Sequence, residues 1–198
     1  MIVLSLTFAG LLSLLPLVTL TSHGGSVRRL VKIVARLFEQ LVTFAFGVSA
    51  IAGLFIALVQ LSTLILRNIF AVNFIWLQES AIYLFGTMFL LSSGSVLLLD
   101  GHVRVDVFYS RASERMKALI DLSGLYLFVL PVCGLVIYAA APYVAQSWAA
   151  FERSPEESGI HAVYLLKSLI PAFGIILAMA AFVRIERLCA QLGKAGKP

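Results

Sequence analysis

His102, Arg104 and Asp106 occupy alternate positions in the run Asp100-Gly101-His102-Val103-Arg104-Val105-Asp106-Val107-Phe108-Tyr109. In an extended strand these three polar side chains share one face, with the valines on the other. A histidine and a carboxylate are the raw material of a metal site or an acid–base pair. The guanidinium between them repels a bound cation, and no nucleophile or second carboxylate is fixed nearby for catalysis. Two readings stay open: a solvated turn, or an element that fixes a loop and meets a partner. Glu79 and Lys167 also need an account, because each falls inside an apolar run. An ionised side chain in hydrocarbon is costly unless it is paired.

The elements that must position these groups are membrane helices. Of the 198 residues, 61% are hydrophobic and only 13% charged, and the mean hydropathy is +1.00. An ordinary soluble domain is about a quarter charged. A soluble fold of this length cannot bury so much apolar surface, so the bilayer is the solvent. The net charge of +5 does not indicate nucleic acid, because the basic residues flank apolar runs instead of lining one face. Cys133 and Cys189 form neither a disulfide framework nor a metal pattern and read as small buried side chains. No cofactor is expected.

A span needs about 20 apolar residues. Four segments qualify, at about Leu41–Leu66, Trp76–Leu99, Leu119–Trp148 and Val163–Val183. None alternates as a barrel strand does, so the spans are helical. The expected fold is therefore an all-α integral membrane protein, a bundle of four transmembrane helices. A short interfacial helix over Ser110–Lys117, capped by Ser110, leads into span three. Pro131 and Pro171 are expected to bend spans three and four. Residues 1–25 form an additional N-terminal apolar segment. It lacks the basic start of a secretory signal and reads as a peripheral helix; a span, or a start upstream of the true protein, stays open. Residues 26–40 read as a basic cytoplasmic or interfacial helix, 41–190 as the four-span domain, and 191–198 as a tail.

Basic residues set the orientation. Arg28, Arg29, Lys32 and Arg36 precede span one. Arg104, Arg111, Arg115 and Lys117 follow span two, and Arg184, Arg187, Lys194 and Lys197 close the chain. With four spans these sets share one side, which the positive-inside rule assigns to the cytoplasm. The outer ends carry Phe70, Phe74, Trp76, Trp148 and Tyr164, with Trp76, Trp148 and Tyr164 as interface anchors. Glu79 and Lys167 then lie about one turn inside the outer ends of spans two and four. Their matched depth predicts an ion pair, with Arg67 as the competing partner for Glu79. Alternatively, Glu79 binds a transported cation or proton. Asp121 and Arg184 form a second expected pair at the inner ends, unless each snorkels alone.

Taken together, Trp76-Leu77-Gln78-Glu79, Gly101-His102-Val103-Arg104-Val105-Asp106 and the run from Ser158 to Pro171 resemble the small membrane subunit (DctQ type) of tripartite ATP-independent periplasmic, or TRAP, transporters. The resemblance covers about Arg36 to Leu188, and the segment from Met1 to Gly25 departs from the usual pattern. It implies two protein partners in the bacterial inner membrane system: a large membrane subunit (DctM type) and a periplasmic substrate-binding protein. The large subunit would run on an ion gradient, that of sodium, and carry organic acids. This chain would brace it and contribute to docking. The resemblance implies no enzyme.

Three other readings compete. A membrane-embedded enzyme would need polar side chains converging within the bundle, and only isolated charges appear. The membrane anchor of a redox complex would need axial haem ligands within the spans, but His23, His102 and His161 fall outside them. A stand-alone small transporter would be expected to show an inverted repeat or paired broken helices, and neither is apparent. No Walker motif supports ATP use.

Overall fold

The computed structural model describes residues 25–101 and 109–195. The expectations for residues 1–24 and for His102, Arg104 and Asp106 lie outside them. The described residues form four long helices: α1 (Gly25–Ile69), α2 (Ile75–Leu98), α3 (Glu114–Ala149) and α4 (Val163–Ala195). Each contains a stretch long and apolar enough to cross a membrane. The loops at 70–74 and 150–162 lie at one end of the bundle, here the loop end. The α2–α3 connection, Gly25 and Ala195 lie at the other, the termini end.

Two boundaries differ from expectation. No break separates the basic segment 26–40 from span one. Together they make a single helix of 45 residues, about 68 Å long at 1.5 Å per residue. The residues between Arg36 and Leu41 include neither Gly nor Pro, so nothing in the chain stops the helix there. The helix that leads into span three starts at Glu114, not Ser110, and runs on without interruption. Ser113 is the cap: its backbone is extended and its hydroxyl accepts a bond from the Met116 amide at 3.4 Å. Glu114 places a carboxylate in the first turn, where the helix dipole favours it.

Pro131 has no N–H to offer the carbonyl four residues back. The helix answers with a π turn over Leu125–Val129, in which the Leu130 amide reaches Leu125 O. Pro142 lies inside α3 and Pro171 inside α4.

α4 is the central helix and packs against the other three. α2 packs between α1 and α4, while α3 packs chiefly on α4. The centre of α4 explains this: Ala180, Ala181, Phe182, Val183 and Ile185 are all buried. α1 presents Val31, Ala35, Val42, Ala45, Ser49 and Ala52 at helical spacing, mostly small side chains that let backbones approach. Gly94 sits where α1, α2 and α4 meet. A Cβ there would stand 2.7 Å from Ile176 Cγ2 and 3.2 Å from Val42 Cγ1. Beside it, the Ser95 hydroxyl donates to Val42 O at 3.3 Å. The outer surface is apolar: Phe44, Leu127 and Phe128 are each more than two-thirds exposed. Patches of that kind call for lipid or protein cover.

Candidate functional site

α3 ends in a Schellman turn with Phe151 in the left-handed region, φ 44°. The Glu152 amide reaches back to Ser147 O at 3.0 Å, and the Phe151 amide to Trp148 O at 3.2 Å. From there the loop 150–162 folds on itself. The Ser154 amide bonds Ile160 O at 3.3 Å, and the Val163 amide bonds Glu152 O at 3.2 Å.

Two helices hold this loop down. Glu79, in the second turn of α2, accepts from the Ser154 hydroxyl at 2.5 Å and from the Ile160 amide at 2.6 Å. Lys167, in α4, donates to Glu152 Oε2 at 2.5 Å, and its ammonium lies 4.0 Å from the Tyr143 ring centroid. The Lys167 hydrogen bond holds the Glu152 carboxyl below its ordinary value. Gly159 is required by space, since an added Cβ would collide with Ser154 and stand 2.8 Å from Glu79 Oε1.

The expected Glu79–Lys167 pair is therefore not made. Matched depth put both groups at the loop end, but each finds a closer partner in the loop. Glu79 spends both oxygens on donors from Ser154 and Ile160, and Lys167 meets Glu152 first. Arg67 is exposed and makes no ion pair among the described residues. The aromatic residues gather at the same end. The Trp148 indole N–H donates to the Ser168 hydroxyl at 2.8 Å, and Trp148 lies edge-on to Tyr164 at 4.6 Å. Trp76 lies 6.0 Å from Phe74. Trp148 thus ties α3 to α4 through Tyr164 and Ser168.

At the termini end, Arg184 is the junction. Its Nη2 stands 3.4 Å from Asp121 Oδ2 and 3.2 Å from Asp100 Oδ1. The Tyr109 hydroxyl donates to Asp121 Oδ2 at 3.2 Å. Arg184 thus joins the end of α2, the first turns of α3, and α4. Asp100 reaches it because α2 also ends in a Schellman turn, with Asp100 at φ 60° and the Gly101 amide on Val96 O at 2.9 Å. Arg187 adds a contact to Glu39 of α1 at 2.8 Å.

Sequence reasoning did not foresee Ser154, Ile160, Glu152, Asp100 or Glu39 as partners. Ser154 and Ile160 carry no sequence signal, since the first is one serine among many and the second acts through its backbone. Glu152 had a signal, being the first carboxylate after span three. Among the described residues, no group of three or more His, Cys, Asp and Glu side chains is placed to hold a metal ion. The arrangement fastens helices and a loop; its charges are engaged with one another.

Comparison with known families gives one finding. The family described as the DctQ component of tripartite ATP-independent periplasmic transporters matches residues 56–191. No curated protein and no solved structure matches the chain.

Proposed function

Because this chain belongs to the DctQ component family of tripartite ATP-independent periplasmic transporters, and so is the small membrane subunit of such a system, we propose that it serves as the fixed brace of the transport machinery. Its partners are a large membrane subunit (DctM type), which carries the substrate, and a periplasmic substrate-binding protein. The observation that carries this reading is the double fastening of loop 150–162. Glu79 of α2 and Lys167 of α4 both spend their charge on holding the loop. A transport site instead keeps such groups open to its cargo. A surface held this way is pre-organised, which lowers the entropy cost of docking a partner.

The basic segments at the termini end favour a cytoplasmic location for the segment 26–40 and for the C-terminus, in the inner membrane. The loop end then faces the binding protein and offers Arg153, Glu156 and Glu157, all exposed. The cargo is an organic acid and the drive an ion gradient, that of sodium; both belong to the large subunit. The chain is not an enzyme.

Reconstitution tests this reading. Liposomes holding this chain with the large subunit should accumulate substrate when the binding protein and a sodium gradient are supplied. Liposomes holding this chain alone should not, and uptake by them would overturn the proposal. Glu79→Gln should lower uptake at limiting binding protein more than at saturating binding protein. An equal loss at both would remove the docking role.

A further inference from the structure

The first four turns of α1 carry three separate stripes. At about 100° per residue, Val31, Ala35 and Phe38 point one way, and they pack with Phe182 and Val183 of α4. Arg28, Arg29, Lys32 and Arg36 form a second stripe, all exposed. Leu30, Ile33, Leu37 and Leu41 form a third, each about half exposed. Core, cations and leucine-type side chains each take roughly a third of the helix surface.

Some cations of the fold are paired, while Arg67, Arg111, Arg115 and Arg153 make no ion pair among the described residues; the α1 stripe differs from these in gathering four unpaired cations on one helix face. Lys117, Lys167, Arg184 and Arg187 each hold a carboxylate. Arg28, Arg29, Lys32 and Arg36 make no ion pair among the described residues. Their level is also set. Val31 and Ala35 share a cluster with Leu98, the last residue of α2, and with Val183, the neighbour of Arg184. Asp100, Asp121 and Arg184 meet at this level, so it is where the chain leaves hydrocarbon. Water alone would leave Leu30, Ile33 and Leu37 uncovered. A lipid boundary covers both stripes at once, with acyl chains on the leucines and headgroups on the cations.

We propose that this basic stripe of α1 binds the headgroup phosphates of anionic phospholipids in the leaflet at the termini end. The apolar stripe beside it seats the helix at the acyl boundary. The site depends on the membrane fold alone, not on the transport reading, so each can fail without the other.

The test uses the full chain in phosphatidylcholine vesicles with trace spin-labelled lipid. Electron spin resonance measures the fraction of label held at the protein surface. Labelled phosphatidylglycerol should be held more than labelled phosphatidylcholine, and the preference should shrink as salt is raised. Replacing the four cations together (R28Q/R29Q/K32Q/R36Q) should reduce it, by up to about five-fold per cation at low salt. The variant R28K/R29K/R36K should keep it, which separates charge from folding. Arg67→Gln, at the other end, should keep it too. A full preference in the quadruple glutamine variant would overturn the proposal. So would an equal loss with Arg67→Gln. Abolition by inorganic phosphate, but not by chloride of equal ionic strength, would mean a free-phosphate site and would also overturn it.

Discussion

Replacing Gly94 by alanine should destabilise the bundle, although alanine is the better helix former. The new methyl group would stand 2.7 Å from Ile176 Cγ2, 3.0 Å from Ile176 O and 3.2 Å from Val42 Cγ1. The first is a branch methyl on a β-branched residue and the second is backbone, so neither yields by a simple rotamer change. α2 and α4 must move apart by a few tenths of an ångström. Overpacking of this kind costs about 1–3 kcal/mol. Removing a glycine from a helix returns about 0.5–1 kcal/mol, which leaves a net loss of up to about 2.5 kcal/mol, centred on about 1 kcal/mol. On the scale of domains of this size, a loss of about 1 kcal/mol lowers Tm by about 2–4 °C. Thermal unfolding of the purified chain in detergent, followed by circular dichroism, would measure it. Gly47→Ala is the matched control, since a Cβ there meets nothing within 4 Å and its Tm should hold or rise. If Gly94→Ala unfolds at the same temperature as Gly47→Ala, the close approach of α1, α2 and α4 is wrong.

Hydrogen exchange reads the loop directly. Glu79→Gln should speed exchange at the Ile160 amide, which now donates to the carboxylate at 2.6 Å; unchanged protection would refute the latch. A charge swap of Glu79 and Lys167 should fail to restore stability lost in the single variants, whereas a swap of Glu152 and Lys167 should restore part of it. Acid should also release the loop. The Glu152 carboxyl is held below its ordinary value of 4.5 by Lys167, so its contribution is present above that value and lost as pH falls through the depressed one. Because Glu79 also holds this loop as a carboxylate, Glu152→Gln should shrink this acid step without removing it, and an unchanged step would refute the role of Glu152. Arg184→Met leaves Asp121 and Asp100 without their shared cation and should cost about 1–2 kcal/mol, read as a lower Tm. Arg184→Lys should recover part of that loss.

Depth in the membrane predicts the charge partner at one end of the bundle and not at the other. Asp121 and Arg184 were matched by depth, and they lie 3.4 Å apart. Glu79 and Lys167 were matched the same way, but they hold different partners. Depth is one coordinate of three. At the termini end Asp100 adds to the same cluster. At the loop end thirteen residues of loop, 150–162, come between the helices and bring their own donors and acceptors. Backbone groups such as the Ile160 amide are invisible to any reading of side chains.

The amino-acid sequence by itself determined the four helical spans among the described residues, roughly where they lie, and which family the chain belongs to. Those properties follow from local hydropathy, since hydrocarbon leaves a backbone no alternative to the helix, and from short motifs. The tertiary structure alone decided that α1 is unbroken through its basic segment, that α4 is central, and that Glu79 and Lys167 clasp a loop and not each other. The physical reason is that partner choice depends on helix rotation and loop path. Both are set by close packing of small residues such as Gly94 and Gly159, whose importance shows only once their neighbours are in place.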